Sequence, residues 1–286
     1  MSKKNKIAIV ISAVGIICLT IVHIMNKKAE KTTYRASYIE PIPARKKGFY
    51  EKSIKRLFDI ICGIGAMIVF SPLYILLAVF VRIKLGSPVL FTQDRPGIIG
   101  ADGRESIFKM YKFRSMTDAR DENGELLPDE MRLTPFGKWM RETSLDELGE
   151  VINIINGTMS VIGPRPQLVR DLVFMTKEQR IRHTAKPGLS GLAQVNGRNS
   201  ICWEEKFNWD LKYIKQVNFK TDIKIIIKSI RKALIEREGI TQGGMVTAED
   251  LGDYLLGCGK ISRDEYEQKH KLAKKLMDSV HLKEIN

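Results

Sequence analysis

The sequence predicts a mostly helical α/β protein attached to a membrane twice, by an N-terminal transmembrane helix and by a re-entrant helix broken at Ser71-Pro72, followed by a small compact domain with interfacial helices. Three observations lead there. Two apolar runs, Ile7–Met25 and Ile60–Val81, are long enough for lipid, and a Ser-Pro pair divides the second. After them come roughly 160 residues of mixed alternating and helical period, enough for one core.

Ile7–Met25 is nineteen residues without Lys, Arg, Asp or Glu, about 28 Å as a helix and so just able to span. The run is long for a cleaved signal peptide, and Asn26-Lys27-Lys28 follows it in place of a small-x-small site, so a retained anchor is expected. Residues 26–48 form a basic linker with Pro41 and Pro43, making 1–48 an anchor and linker. Residues 49–247 then form the main domain, and 248–286 a charged helical tail.

In the second run, Pro72 removes an amide donor and Ser71 can satisfy the carbonyl it frees, so a helix here should bend sharply. Lys52, Lys55 and Arg56 precede the run, and Arg82 and Lys84 follow it. With basic residues at both ends, both prefer the cytoplasmic side, which a helix-break-helix over about residues 54–84 satisfies and a straight span does not. An ordinary kinked transmembrane helix is the alternative.

Further along, Pro88–Thr92 and Ser106–Met116 alternate like strands around the turn-rich Arg95-Pro-Gly97 and Gly100–Gly103. Leu145–Ile155 and Trp203–Val217 read as helices. Asp222–Glu236 sets Ile223, Ile226, Ile227, Ile230 and Leu234 opposite Lys224, Lys228, Arg231 and Lys232. Such a helix fits a bilayer surface or a domain core equally well.

The chain has 47 Lys and Arg against 33 Asp and Glu, a net charge of +14, which suits an anionic membrane face and phosphorylated substrates. Nucleic acid is not an expected partner, because the basic residues are spread along the chain without zinc-finger spacing or an aromatic RNA-binding strand. Cys18, Cys62, Cys202 and Cys258 are far apart, as are His23, His183, His270 and His281. Any metal should therefore be a hard cation on oxygen ligands.

Those oxygens appear between Arg141 and Pro166, where the adjacent pair Asp146 and Glu147 precedes Arg165, itself fixed between Pro164 and Pro166. A carboxylate pair can bind a divalent cation and attack phosphorus, and a Pro-fixed guanidinium can hold phosphate oxygens. Ser144–Glu147 equally fits a capping box, with Glu147 reaching back to the amide of Ser144. Gly163–Pro166 alone is a rigid turn.

The ordered set FTQDRPG (91–97), FKMYKFRSM (108–116), SLDEL (144–148), MSVIGPRP (159–166) and KPGLSGLAQVNGR (186–198), with the Ser71-Pro72 break, resembles the bacterial sugar transferase family, the monotopic polyprenyl-phosphate phosphoglycosyl transferases. The likeness covers about residues 50–247 and is marked for the small undecaprenyl-phosphate N,N'-diacetylbacillosamine 1-phosphate transferases. The N-terminal anchor and the longer C-terminus depart from that pattern.

The resemblance implies that a UDP-sugar donor gives its sugar-1-phosphate to undecaprenyl phosphate at the cytoplasmic face of the bacterial inner membrane, releasing UMP. Asp146 would be the nucleophile, forming a covalent aspartyl-phosphosugar. Glu147 would be its metal or proton partner, with Asp146 and Glu147 on Mg²⁺ or Mn²⁺, while Arg165, Arg141, Lys112 and Arg198 would bind phosphate. A glycosyltransferase releasing UDP and a non-catalytic membrane scaffold are the other readings. Neither the sugar nor the oligomeric state can be read from the residues.

Overall fold

The computed structural model describes residues 33–197, 201–232 and 249–285; the expected anchor Ile7–Met25, Arg198, residues 233–236 and the 244–247 block lie outside the described residues. After the short strand β1 (Tyr34–Arg35), a π-helical turn at Tyr50–Ile54 leads into α1 (Lys55–Val69), and α2 (Ser71–Leu85) follows directly. The expected bend is present. The helix axes meet at 66°, and Ser71 Oγ donates at 2.8 Å to the carbonyl of Ile68, the group that a residue other than proline at position 72 would satisfy.

Among the described residues no single helix is long and apolar enough to cross a membrane, but the pair Tyr50–Val69 and Ser71–Leu85 meets that test together. Ile61, Ile64, Ile68, Ile75, Val79 and Ile83 all remain exposed on it. Its inner side is pinned to the domain by polar groups. Lys55 pairs with Asp222, Arg56 donates to the carbonyls of Ile154 and Ile155 at 2.5 and 2.6 Å, and Asp59 accepts from Ser160 Oγ and Val161 N at 2.8 and 2.9 Å.

The two extended segments pair antiparallel as β2 (Leu90–Ile99) and β3 (Glu105–Phe113), in a three-stranded sheet ordered β1-β3-β2. Arg95-Pro-Gly97 is not the expected turn: it lies within β2, where the register slips by one residue between Pro96 and Ile99. Gly97 suits the close pairing there, since a Cβ would stand 2.6 Å from Ser106 Oγ. The turn is at residues 100–103, with Gly103 at φ 74.

β3 organises the domain: Phe108 and Met110 pack on Ile154 and Met159, Ile107 joins Val169 and Leu172, and Phe113 meets Leu77 and Val81 of α2. Next come α3 (Pro135–Glu142), a 3₁₀ helix Leu145–Glu150 continuing as α4 (Val151–Asn156), and the parallel pair β4 (Ser160–Ile162) and β5 (Gly188–Ser190). The helices α5 (Trp203–Lys215), α6 (Phe219–Arg231), α7 (Leu251–Gly257) and α8 (Arg263–Ile285) complete a mostly helical α/β domain. In α6 the buried side is Asp222 and Ile225, the latter outside the isoleucine face expected of this segment; of that face Ile226 is partly buried against the core, while Ile227 and Ile230 stay exposed.

Candidate active site

The site forms where the 3₁₀ helix Leu145–Glu150 lies against β3. Gly149 makes this contact possible: a Cβ there would stand 2.8 Å from the carbonyl oxygen of Tyr111 and 2.9 Å from Cα of Lys112. Asn153 fixes the register, accepting from Tyr111 N at 2.9 Å and donating to the carbonyl of Lys109 at 2.7 Å. Lys112 therefore points into three carboxylates, with Nζ 3.8 Å from Asp146, 3.2 Å from Glu147 and 3.4 Å from Glu150.

The capping box that Ser144–Glu147 allows does not form. Ser144 sits in the left-handed region, at φ 56 and ψ 20, and its side chain caps nothing. Glu147 instead takes the guanidinium of Arg165, and Lys112 donates to it. The segment is a tighter helix than expected, and 3₁₀ geometry eclipses residues three apart, which aligns Glu147 with Glu150 and keeps Asp146 beside them.

Arg165 is held at its backbone. Its carbonyl accepts from Arg182 at 2.6 Å, the Pro166 carbonyl accepts from Arg95 at 3.4 Å, and the Pro164 carbonyl accepts from Gly188 N at 3.0 Å. Arg182 is itself buried on Asp210, at 2.6 and 2.8 Å. Its main chain is thus anchored, while its side chain pairs with Glu147 and stays 41 % exposed.

The acidic groups are tuned apart. Burial raises the Asp146 carboxyl, with Lys112 opposing and Glu147 reinforcing. Burial would raise Glu147 as well, but Arg165 and Lys112 outweigh it and hold this carboxyl well below the usual range. Glu150 is pushed up to about 7 by burial and by Glu147. Arg165 rises in turn, chiefly because of Glu147.

Of the residues expected from sequence, Asp146, Glu147, Lys112 and Arg165 come together, with Arg165 flanked by the buried Pro164 and Pro166. Arg141 donates from Nε to Ser115 Oγ at 3.0 Å and lies near enough to lower the Asp146 pKa. Ser71 and Pro72 form the helix break. Sequence reasoning missed Glu150, Arg182 and Arg95. Glu150 could have been found from its spacing, three residues after Glu147, but Arg182 and Arg95 act through distant backbone and carry no local signal.

Among the described residues no three His, Cys, Asp or Glu side chains are arranged to hold a metal. Asp146 and Glu147 supply carboxylate oxygens, the donor type that Mg²⁺ takes, an ion commonly bound by one or two carboxylates with substrate phosphate completing its shell.

The sequence of this domain, which carries the bent apolar helix pair and the carboxylate-cation cluster, matches a family model. Residues 50–236 fit the sequence profile described as Bacterial sugar transferase, and the chain belongs to that family. It is 46 % identical over 209 residues to the uncharacterized sugar transferase EpsL of Bacillus subtilis, covering 73 % of this chain and 98 % of that protein. It is 36 % identical over 193 residues to a UDP-glucose:undecaprenyl-phosphate glucose-1-phosphate transferase of Klebsiella pneumoniae, covering 64 % of this chain and 40 % of that one. Against an undecaprenyl-phosphate galactose phosphotransferase of Salmonella typhimurium, identity is 34 % over 203 residues, covering 65 % of this chain and 41 % of that protein. The chain thus spans less than half the length of these last two relatives.

Proposed function

We propose that this protein transfers a sugar-1-phosphate from a UDP-sugar to undecaprenyl phosphate, releasing UMP, as the first membrane step of glycoconjugate assembly. The observation that carries the reading is the convergence of Asp146, Glu147, Lys112 and Arg165 on one point of a domain whose apolar helix pair is tied to the same 3₁₀ helix, Tyr74 donating to the Leu148 carbonyl at 3.1 Å. Names of relatives acting on undecaprenyl phosphate support it.

In the proposed mechanism an Asp146 carboxylate oxygen attacks the phosphorus that bears the sugar. The bond from that phosphorus to the bridging oxygen breaks, and UMP leaves. An oxygen of the lipid phosphate then attacks the same phosphorus and returns Asp146 to its free carboxylate. Lys112 and Arg165 offset charge on the phosphate oxygens, and Glu147 keeps both cations in place. Mg²⁺ held by Asp146 and Glu147 would supply further charge neutralisation.

The bent pair α1–α2 is proposed to re-enter the membrane from the cytoplasmic side, with the exposed Ile227 and Ile230 of α6 at the bilayer surface and the earlier apolar run as a separate anchor. This sets the site at the depth of the lipid phosphate, so the acceptor need not be extracted at about 0.8 kcal/mol per methylene.

For the sugar we place an N-acetylated amino sugar such as diacetylbacillosamine first, on the sequence likeness and on a relative named for N-acetylgalactosamine; other relatives are named for glucose and galactose. Membranes carrying the protein, given undecaprenyl phosphate and a panel of UDP-sugars, should release UMP with one donor. Release of UDP would make it a glycosyltransferase, and absence of any nucleotide product would favour a scaffold.

A further inference from the structure

A third cation stands on the same side of the sheet as Lys112. Opposite residues of an antiparallel pair share a face, as do residues two apart along a strand. Arg95 lies opposite Phe108, Gln93 opposite Met110 and Phe91 opposite Lys112, so Arg95, Gln93 and Lys112 rise from one face of β2 and β3. From Phe108 to Lys112 is about 13 Å of strand. Arg165 bridges that distance. Lys112 donates to Glu147, Glu147 holds the Arg165 guanidinium, and the next carbonyl, Pro166, accepts from Arg95 at 3.4 Å. Asp146 is at the Lys112 end of this row, 3.8 Å from Nζ.

Arg95 differs from Arg180 and Arg182 in what surrounds it. Those two rest on the carboxylates of Glu105 and Asp210 at 2.6 to 2.8 Å. Arg95 is partly buried and makes no ion pair with a described residue. It donates to Gln93 Oε1 at 2.6 Å and to Pro166, and its Nε is buried with no hydrogen-bond partner. Burial and the neighbouring Arg165 bring its pKa down to about 10, with Asp171 and Glu150 opposing. A guanidinium beside a second guanidinium, short of acceptors and without a carboxylate, is a place that an oxyanion completes.

We propose that Arg95 binds the second phosphate of the donor: resting on the transferase reading above, Arg165 and Lys112 take the phosphate that carries the sugar, and Arg95 takes the one that leaves with uridine. When the bridging bond breaks, its electron pair stays on the oxygen of the departing phosphate, which gains a unit of negative charge beside Arg95. Attack and departure at phosphorus are in line. With Asp146 at one end of the row, UMP departs at the other, and the lipid phosphate that later displaces Asp146 must approach from that same end. One subsite thus serves both phosphates in turn.

The test measures UMP and uridine binding by calorimetry on the full chain in lipid nanodiscs, for wild type, Arg95→Gln and Arg95→Lys. Losing hydrogen bonds to a charged group should weaken UMP binding about tenfold in Arg95→Gln, with uridine within about twofold and the undecaprenyl phosphate KM raised to a similar degree. Arg95→Lys keeps the charge without the planar fork, should lose about threefold, and serves if the first variant fails to fold. The same loss should appear in an Arg165→Gln background, since a residue acting only through the Arg165 loop would add nothing there. An unchanged ratio of UMP to uridine affinity, or a loss that vanishes in that background, would overturn the assignment, and an unchanged undecaprenyl phosphate KM would overturn the shared subsite. UMP release by the wild type is read separately. Its absence with every donor would end the transferase reading and this assignment with it, whereas its presence beside UMP binding unmoved by Arg95→Gln would end the assignment alone.

Discussion

Asp146 and Glu147 are neighbours whose carboxyls shift in opposite directions, and the difference traces to which of them faces Arg165. If Asp146 is the nucleophile, Asp146→Asn should lower turnover on the order of 10³-fold or more. Donor alone should add the mass of a phosphosugar to the wild type and not to the variant; an active wild type that never shows the adduct in quenched samples rules out the covalent step. Glu147→Gln weakens the hold on both cations and should cost about 10²- to 10³-fold in kcat, with the protein still folded. A second buried acid makes a separate prediction about stability. Glu105 accepts from Arg180 Nε and Nη2 at 2.8 and 2.6 Å and lies 3.2 Å from His183. Burial would raise its carboxyl, but His183 and Arg180 bring it down to about 2. The unfolded chain therefore holds that proton more readily, so the stabilisation is complete above about pH 4.3 and is lost as pH falls towards 2. Glu105→Gln should cost roughly 3–5 kcal/mol at neutral pH and flatten that acid limb in denaturant titrations.

Among the elements, the break between α1 and α2 carries the clearest expectation. Cysteines placed near Lys52 and near Lys84 should both be labelled only from the cytoplasmic side, with the earlier anchor running from a periplasmic N-terminus, since Lys27, Lys28, Lys31 and Arg35 outnumber Lys3, Lys4 and Lys6. Labelling from opposite faces would leave an ordinary two-span anchor. Pro72→Leu should straighten the pair and separate the two flanks. The break was legible because its causes are local, a missing amide at Pro72 and a hydroxyl at Ser71 that reaches the same carbonyl. The carboxylate pair and Lys112 were also legible, as residue types at short spacing. What was not legible depended on distant backbone. Arg95-Pro-Gly97 has the composition of a turn, but pairing with β3 draws it into a bulged strand. Ser144 has the spacing of a cap, but the left-handed conformation that starts the 3₁₀ helix removes its hydroxyl from that task. The support of the Arg165 backbone by Arg182 spans 17 positions and leaves no periodic trace.

Taken as a whole, the molecule offers phosphate two fixed cations and a pair of hard oxygens, and this sets its proposed dependence on metal. Activity should disappear in EDTA and return with Mg²⁺ or Mn²⁺, read as UMP release. Full turnover in thoroughly chelated buffer would remove Asp146 and Glu147 from any metal role and leave charge on the phosphates to side-chain cations such as Lys112 and Arg165.

The polar pins of α1 also order events in time. Lys55, Arg56 and Asp59 meet partners that lie 167, 98 and 101 positions later in the chain. At about 5–20 residues per second, Asp222 leaves the ribosome roughly 10–30 s after Lys55. On the re-entrant reading, the helix pair settles in the bilayer during that interval with its cations still in interfacial water. Those unpaired charges hold the base of the pair on the side where the ribosome works, so the membrane hairpin waits there as a seat, and the catalytic domain closes onto it as the last partners are made.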